Sequence, residues 1–283
     1  MPTFKSPSSN AISTQRSADT SRRFDAHAEV YDARVGVPES ALTQVAQKII
    51  QCLAGKPENK PNLLEIAPGT GELAQFLFPL CHYHGLEGSQ GMLAQLHQRL
   101  GALASTHVES SPAELADANQ TWPVADASQD AIVIARAAHL LARDHLIKEV
   151  RRCCREHSAF LILGRVQKAP DSVAAQLRRM LHQRLREHGH QPRRGGKIHQ
   201  QLAASIDKDY RTLSAACWQV SESPLQVLNT WRDKTGLGGV VLNAREHVKI
   251  LDQLEQQCKE HFGDIEKKQQ SGREYQLLCA TIR

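Results

Sequence analysis

A short glycine turn between two apolar segments is the part of this sequence best suited to bind a ligand. Residues 65–71 read Glu-Ile-Ala-Pro-Gly-Thr-Gly; they follow Leu63-Leu64 and run into a segment with helical apolar spacing. Glycine adopts positive φ and lets backbone lie close to a ligand, while the N–H groups of a helix start favour anionic groups. In an open α/β sheet, ligands bind in the crevice at the carboxyl ends of the strands. The segment therefore predicts a small-molecule or cofactor site.

Two acids and one further motif accompany this turn. Glu65 lies inside the end of the first predicted strand, and Glu87 ends the second, followed by Gly-Ser-Gln-Gly-Met-Leu. Residues 122–130, Trp-Pro-Val-Ala-Asp-Ala-Ser-Gln-Asp, lead into the fourth strand. The turn alone also fits the G-x-G-x-x-A form of a dinucleotide site. The three added features favour a different cofactor.

Together these motifs resemble those of the class I S-adenosylmethionine-dependent methyltransferases, in particular the group that acts on small metabolites. The similarity extends over about residues 24–166 and the terminal strand, and includes Phe-Asp-x-x-Ala-x-x-Tyr-Asp at residues 24–32. It implies S-adenosylmethionine as cofactor and displacement of the sulfonium methyl group by an oxygen, nitrogen or carbon nucleophile.

The resemblance also implies a role for individual residues. Glu87 would accept hydrogen bonds from both ribose hydroxyls, Glu65 would orient the turn or reach the amino group, and Met92 would pack on adenine. The third motif usually offers an Asp to the adenine amino group; residues 110–114 read Ser-Ser-Pro-Ala-Glu, so Ser111 and backbone groups would hold adenine instead. The implied cofactor-binding residues are Glu65, Ala67, Gly69, Thr70, Gly71, Glu87, Gly88, Ser89, Met92, Ser111 and Ala113.

Three residues depart from the family pattern. Ala67 stands where the family has its first glycine, and Pro68 removes one N–H. Alanine is tolerated at this position if its φ is negative. Glu87 stands where Asp is commoner and needs about one methylene more room.

Candidate catalytic residues follow the fourth strand, where the acceptor usually enters such enzymes. His139 would act as a general base, or would be a hydrogen-bonded core histidine. Arg136 would neutralise a carboxylate or cap the turn, and Tyr31 would close over the cofactor or simply pack in the lid. His139, Arg136 and Tyr31 are the predicted catalytic set.

The alternation of strands and helices predicts the fold class. It indicates a Rossmann-like, doubly wound α/β fold with a seven-stranded, mostly parallel sheet, an antiparallel last strand and helices on both faces. Strands are predicted at 62–66, 82–86, 106–109, 131–135, 159–165, 211–220 and 274–283. A helical region is predicted between Leu225 and Phe262.

The domain organisation follows from composition. Residues 1–20, rich in Ser and Thr, are expected to form a disordered tail. Residues 21–283 are expected to form a single methyltransferase domain, with a helical lid at 21–60 and an acceptor-side insertion at 168–205.

Composition limits the classes of partner. The formal net charge of +5 is mild for 283 residues and does not favour an obligate nucleic-acid binder, and no apolar stretch is long enough to span a bilayer. The basic segment Arg178–Lys197 has few aromatics; a solvated helix face is the commoner interpretation, with a nucleic-acid groove or an acidic substrate as alternatives. The seven scattered cysteines favour reduced thiols in the cytoplasm and no metal site. A small-molecule acceptor is the expected partner.

Two other functions stay open at this point. One is an NAD(P)-dependent oxidoreductase, to which the glycine turn alone would also conform. The other is a member of the methyltransferase fold that holds the cofactor without transferring a methyl group.

Overall fold

The computed structural model describes residues 24–25, 28, 31–32, 36–53, 60–103, 112–192, 197–234 and 236–283. The helices in these ranges are α1 (Glu39–Cys52), α2 (Ala74–Leu77), α3 (Gln90–Gly101), α4 (Arg143–Cys153), α5 (Val173–Glu187), α6 (Ile198–Ile206), α7 (Pro224–Arg232) and α8 (Ala244–Phe262). The strands are β1 (Asn62–Ile66), β2 (His82–Glu87), β3 (Ala113–Leu115), β4 (Ala131–Ala135), β5 (Phe160–Lys168), β6 (Arg211–Glu222), β7 (Gly236–Leu237), β8 (Val240–Val241) and β9 (Gln269–Thr281).

The strand order of the main sheet is β3-β2-β1-β4-β5-β9-β6. The strands β1 to β5 pair in parallel. Strand β9 runs against β5, since the Ile282 N–H donates to the Ala159 carbonyl near one end and the Ala169 N–H to the Gly272 carbonyl near the other. The predicted fold class, a mostly parallel seven-stranded sheet with an antiparallel last strand, is confirmed.

The central strands β1 and β4 have the bounds that the sequence predicts, because each is a short apolar run buried on both faces. Leu64, Ile66 and Ile132 are fully buried in one hydrophobic cluster with residues of β5 and β9. The Asp130 carboxylate accepts the Asn62 N–H at 2.9 Å and so aligns the starts of the two strands. Their carboxyl ends therefore lie side by side, which brings the loops after both strands to one edge.

The third strand differs from its prediction. The predicted position, 106–109, lies outside the described residues, and the strand that pairs with β2 is Ala113–Leu115. A strand of three residues carries little local signal, so its position depends on pairing with Gly85, Leu86 and Glu87 rather than on its own sequence.

The sequence predicts a helical region between Leu225 and Phe262. In the structure this region is interrupted, because a hairpin of β7 and β8 lies between α7 and α8. The two-residue loop consists of Gly238 and Gly239, at φ +57° and +79°. Positive φ at both loop residues is typical of the tight turn that Gly-Gly favours. Helix α6 was also absent from the predicted elements.

The chain divides into two compact units. One comprises residues 1–165, 198–216 and 276–283, and the other residues 166–197 and 217–275. The second unit has its own hydrophobic cluster, built from α5, α7 and α8, and hydroxyl or amide side chains of Ser172, Ser223 and Asn243 cap these three helices. The disordered tail, the single domain, the lid at 21–60 and the insertion at 168–205 remain predictions.

The described residues contain neither a membrane-spanning helix nor a cluster of metal-binding side chains. None of the helices found there is both long enough and apolar enough to cross a membrane. The same ranges hold no group of three or more His, Cys, Asp or Glu side chains arranged to bind a metal ion.

Candidate functional site

The turn after β1 has a left-handed backbone at three positions. The φ angles of Ala67, Gly69 and Gly71 are +54°, +63° and +85°. The negative φ that would suit an alanine at position 67 is therefore not observed, and the residue carries strain of about 1–2 kcal/mol. Its N–H donates to the Leu86 carbonyl at 2.8 Å, which holds this conformation against the end of β2.

The two glycines of the turn have different surroundings. A Cβ atom on Gly71 would lie 2.5 Å from Leu96 Cδ1, so this glycine allows the turn to pack on α3. A Cβ atom on Gly69 would have no neighbour within 4 Å among the residues that the structure describes. The turn therefore leaves open space over Gly69, where a ligand can approach the backbone.

Glu87 connects the end of β2 to the glycine turn. Its Oε2 accepts the Gly69 N–H at 2.8 Å and its Oε1 accepts the Ser89 N–H at 2.9 Å. Burial raises the pKa of the Glu87 carboxyl, and the backbone donors oppose this effect. Each carboxylate oxygen keeps a further lone pair, so the group can still accept hydroxyl hydrogens from a ligand. Its role as a clamp on the turn was not part of the sequence interpretation.

Glu65 lies beneath the turn and is almost fully buried. The Tyr83 hydroxyl donates to its Oε2 at 2.9 Å. Gly85 permits this approach, because a Cβ there would lie 3.0 Å from the Tyr83 hydroxyl and 3.3 Å from Pro68 Cγ. Burial raises the pKa of Glu65 to about 7, although the Tyr83 hydrogen bond opposes the shift.

The raised pKa of Glu65 makes stability pH-dependent. The folded chain binds this proton more tightly than the unfolded chain, whose glutamate has a pKa near 4.5. Below pH 4.5 the protonated Glu65 makes its whole contribution to the unfolding free energy. This contribution is lost as the pH rises through about 7, and the total loss is at most about 3 kcal/mol. Glu65→Gln cannot ionise and should gain stability over the wild type as the pH increases. Urea unfolding at about pH 5 and about pH 8.5 measures the difference; an equal effect of the substitution at both pH values would contradict it.

Asp25 lies against the start of α3. Its Oδ1 accepts the Ser89 hydroxyl at 2.6 Å and the Gly91 N–H at 3.0 Å, and the Ser89 hydrogen bond is the main cause that lowers the pKa of the Asp25 carboxyl. A Cβ atom on Gly91 would lie 3.2 Å from the Asp25 backbone and 3.4 Å from the Ala28 Cβ. Residues of the N-terminal motif thus contact the helix that follows Glu87.

Asp32 contacts the glycine turn itself. Its carboxylate accepts a hydrogen bond from the Thr70 hydroxyl and forms an ion pair with Arg99 of α3. Tyr31 packs edge-to-face on Phe24 with ring centroids 6.2 Å apart. The structure therefore brings Tyr31 and both aspartates of the motif to the edge of the sheet that carries the glycine turn.

Arg136 follows β4 and reaches the same edge. It has a φ of +63°, and its guanidinium pairs with the Glu72 carboxylate at 2.7 Å. Burial raises the pKa of the Glu72 carboxyl, and the Arg136 guanidinium opposes this shift. Burial also raises the pKa of the Tyr31 hydroxyl. The guanidinium thus links the loop after β4 to the start of the helix after β1. Strained, non-glycine backbone at such a position is a recurrent feature of functional sites.

His139 and His199 differ in their surroundings. His139 is exposed in a single turn of helix at Ala138–Leu140, which does not fit the alternative of a core histidine. Helix α6, which carries His199, packs beside this turn. Across the described ranges the buried Nε2 of His199 has no hydrogen-bond partner. Burial is the main cause that lowers the pKa of His199 to about 4, and Arg165 and His139 add to the shift. Sequence reasoning missed this residue because α6 was not predicted.

The adenine side of the site is only partly described. Met92 is buried in α3, and Ala113 begins β3, whereas Ser111 lies outside the described residues. With β3 at Ala113–Leu115, the acid that follows the strand is Asp117. The sequence could have indicated Asp117 if β3 had been placed correctly.

The motif at residues 122–130 is held by α4. Arg152 donates to the Trp122 carbonyl at 2.9 Å and the Val124 carbonyl at 2.7 Å, and pairs with Asp126 at 2.6 Å. Glu149 accepts the Trp122 N–H at 2.9 Å. This motif therefore fixes the loop before β4, and its aspartate at position 126 has a structural partner.

Comparison with known proteins gives one family match, over part of the chain. Residues 63–157, about a third of the chain, match the family model described as a methyltransferase domain. No curated protein matches the chain. The match and the sheet order confirm the resemblance to class I S-adenosylmethionine-dependent methyltransferases.

Two solved structures illustrate the similarity. A protein from Anaeromyxobacter dehalogenans named "Putative Type II Methyltransferase" is 15% identical, with 86% of this chain and 96% of that chain covered at a TM-score of 0.51. The YcgJ protein from Bacillus subtilis is 15% identical, with 84% and 99% covered at a TM-score of 0.49. At 15% identity, the first structure supports the fold and nothing more specific. The TM-score of the second structure is too low to support a conclusion of its own.

Proposed function

We propose that this chain, whose residues 63–157 match the methyltransferase domain, is an S-adenosylmethionine-dependent methyltransferase that acts on a small-molecule acceptor in the cytoplasm. One observation carries the proposal. The Glu87 carboxylate lies at the end of β2, 2.8 Å from the N–H of Gly69, whose outer side is open. A hydroxyl-accepting group beside an accessible backbone turn suits a ligand with a sugar diol.

The residues around the turn fit the other parts of the cofactor. Glu65 offers a carboxylate to the amino group, directly or through water, and Tyr83 holds its orientation. Asp117, after β3, would accept a hydrogen bond from the adenine amino group, the role for which the family usually has an Asp. Bound S-adenosylmethionine supplies an electrophilic methyl group.

The acceptor side is proposed at the carboxyl end of β4. Tyr31, Arg136 and Glu72 meet there, and the Arg136–Glu72 pair sets the position of the guanidinium. These residues would align the acceptor with the methyl group, and alignment alone can account for much of a rate enhancement. A general base is needed only for an acceptor that must lose a proton.

The sheet order argues against the oxidoreductase alternative. Dinucleotide-binding sheets are mostly parallel and commonly have the order 3-2-1-4-5-6, whereas here the last strand, the antiparallel β9, lies between β5 and β6. The alternative of a non-methylating member of the fold has no observation in its favour.

Calorimetric titration tests the proposal. S-adenosylmethionine and S-adenosylhomocysteine are expected to bind the full chain, and NADH is not. Incubation with S-adenosylmethionine and a metabolite extract should then yield S-adenosylhomocysteine. Binding of NADH alone would support the oxidoreductase, and binding without methyl transfer across acceptor classes would support the non-methylating alternative.

His199 is proposed as an acceptor contact. A histidine with a pKa of about 4 is a weak base at neutral pH, so the neutral ring would orient the acceptor by hydrogen bonding.

Because the buried Nε2 of His199 has no partner among the described residues, His199→Leu should leave stability unchanged or raise it by about 1 kcal/mol. Methyl transfer should nevertheless fall by about tenfold or more. Thermal unfolding and turnover measure both effects; a large loss of stability with unchanged turnover would indicate a packing role. The matched variant His139→Leu, at an exposed position, should change stability by less than about 0.5 kcal/mol.

A further inference from the structure

Two cysteines that are far apart in sequence lie close together in the fold. Cys52 is the last residue of α1 and Cys279 lies in β9, 227 positions later, yet their Sγ atoms are 3.8 Å apart. A disulfide has an S–S bond of about 2 Å, so the two sulfur atoms need to approach by roughly another 2 Å. Rotation of the two side chains about their Cα–Cβ bonds changes the distance between the sulfur atoms.

The surroundings of Cys52 favour its thiolate. The hydrogen bond with Cys279, followed by the cations Arg211 and Lys48, lowers the pKa of Cys52 to about 7, although burial opposes the shift. Cys52 is half-buried and Cys279 is buried. The same hydrogen bond and burial raise the pKa of the Cys279 thiol. Cys52 is therefore the partly accessible, ionisable thiol that attacks, and Cys279, shielded and protonated, is the resolving cysteine.

Four of the other cysteines lack these properties. Burial raises the pKa of Cys153 and Cys258 to about 11 and that of Cys81 and Cys154 to about 12. These thiols stay protonated at neutral pH and are weak nucleophiles. The remaining cysteine, Cys217, is exposed and provides an internal comparison for reactivity.

We propose that Cys52 and Cys279 form a reversible disulfide when the protein meets a hydroperoxide, which joins the end of α1 to β9. The Cys52 thiolate attacks one peroxide oxygen, so an S–O bond forms, the O–O bond breaks and hydroxide leaves, taking up a proton to become water. The Cys279 thiol then attacks the sulfenic sulfur of Cys52: the S–S bond forms, the S–O bond breaks, and the leaving hydroxide takes up the Cys279 proton and departs as water. Two thiols are oxidised and one hydrogen peroxide is reduced to two waters.

The cross-link has a structural consequence. Helix α1 packs against α2, the helix that directly follows the glycine turn. A bond between residues 52 and 279, which are 227 positions apart in a chain of 283, closes a long loop in the unfolded state. The oxidised protein should therefore melt roughly 5 °C or more above the reduced form. The proposal does not depend on the identity of the cofactor.

Peroxide treatment of the full-length reduced protein tests the proposal. After exposure to hydrogen peroxide and alkylation of the remaining thiols, intact mass is expected to show the loss of two alkylatable groups. Peptide mapping with a protease that separates Cys52 from Cys81 should identify one Cys52–Cys279 cross-link, and dithiothreitol should reverse it. The raised melting temperature should be absent in Cys52→Ser and present in the control Cys217→Ser.

Three results would overturn the proposal. They are a cross-link between other cysteines, accumulation of sulfinic acid at Cys52 with Cys279 still alkylatable, and an unreacted pair at peroxide concentrations that oxidise Cys217. Cys279→Ser serves as a second variant, because its hydroxyl can still donate a hydrogen bond to the Cys52 sulfur. With the resolving thiol absent, this variant should accumulate sulfenic acid at Cys52, which a dimedone probe detects.

Discussion

The Gly69→Ala variant is expected to fold and to lose affinity for S-adenosylmethionine by about 10–100-fold. Alanine at φ +63° carries a strain of about 1–2 kcal/mol, but its Cβ would meet no atom of the described part of the chain within 4 Å. The added methyl group would instead occupy the space that the proposal assigns to the cofactor. Calorimetric titration gives the affinity, and thermal unfolding shows whether the fold is retained.

Two further glycines provide matched controls for this variant. Gly263, which ends α8, has a φ of +70° and open space around its Cβ position, so Gly263→Ala should show the same strain with unchanged affinity. Gly71→Ala should mainly lose stability, because its Cβ would lie 2.5 Å from Leu96 Cδ1. Equal affinities of the Gly69 and Gly263 variants would mean that the cofactor does not approach the turn at this point.

Glu87→Gln is expected to weaken cofactor binding on the order of 100-fold or more. The carboxylate accepts two backbone N–H groups, from Gly69 and Ser89, and an amide has one oxygen for the two. One backbone donor would face an NH₂ group, so the turn would lose a charge-assisted hydrogen bond and the proposed ribose contact would lose an acceptor. Stability should also fall, by about 1–3 kcal/mol.

The control for this variant is Glu114→Gln on the neighbouring strand. Glu114 is partly exposed and lies 3.0 Å from His84, so its substitution should change stability by less than about 1 kcal/mol and leave binding intact. Calorimetry on both variants, with far-ultraviolet circular dichroism as a test of folding, separates the outcomes. A folded Glu87→Gln protein with wild-type affinity would exclude Glu87 from the ribose site.

The elements that the sequence predicts well are those with strong local signals. β1 and β4 are apolar runs with clear ends, and α3 begins at Ser89, whose hydroxyl accepts the Met92 N–H. The Gly238-Gly239 pair favours a hairpin. The helical periodicity on both sides of this pair nevertheless predicts a single helical region, and the hairpin is missed. The short β3 was misplaced because its position is decided by β2.

The site was predictable in its residue types and not in its contacts. Glu87 and the glycine turn could be identified from their order along the chain. The Arg136–Glu72 ion pair joins residues more than sixty positions apart. The same is true of the hydrogen bonds that the Asp25 carboxylate accepts from Ser89 and Gly91. Such contacts arise from the sheet order, which places loops from different strands at one edge, and no local pattern encodes them.

Ala67 and Pro68 give the turn after β1 a property that a glycine-rich loop would lack. An L-residue held at φ +54° and a proline ring leave this stretch few alternative backbone conformations. The turn therefore loses its conformational entropy when the chain folds and not when a ligand binds, so the turn is preorganised for binding. Replacing both residues by glycine would transfer that entropy cost to association, and the entropy of binding would become less favourable even with every hydrogen bond retained.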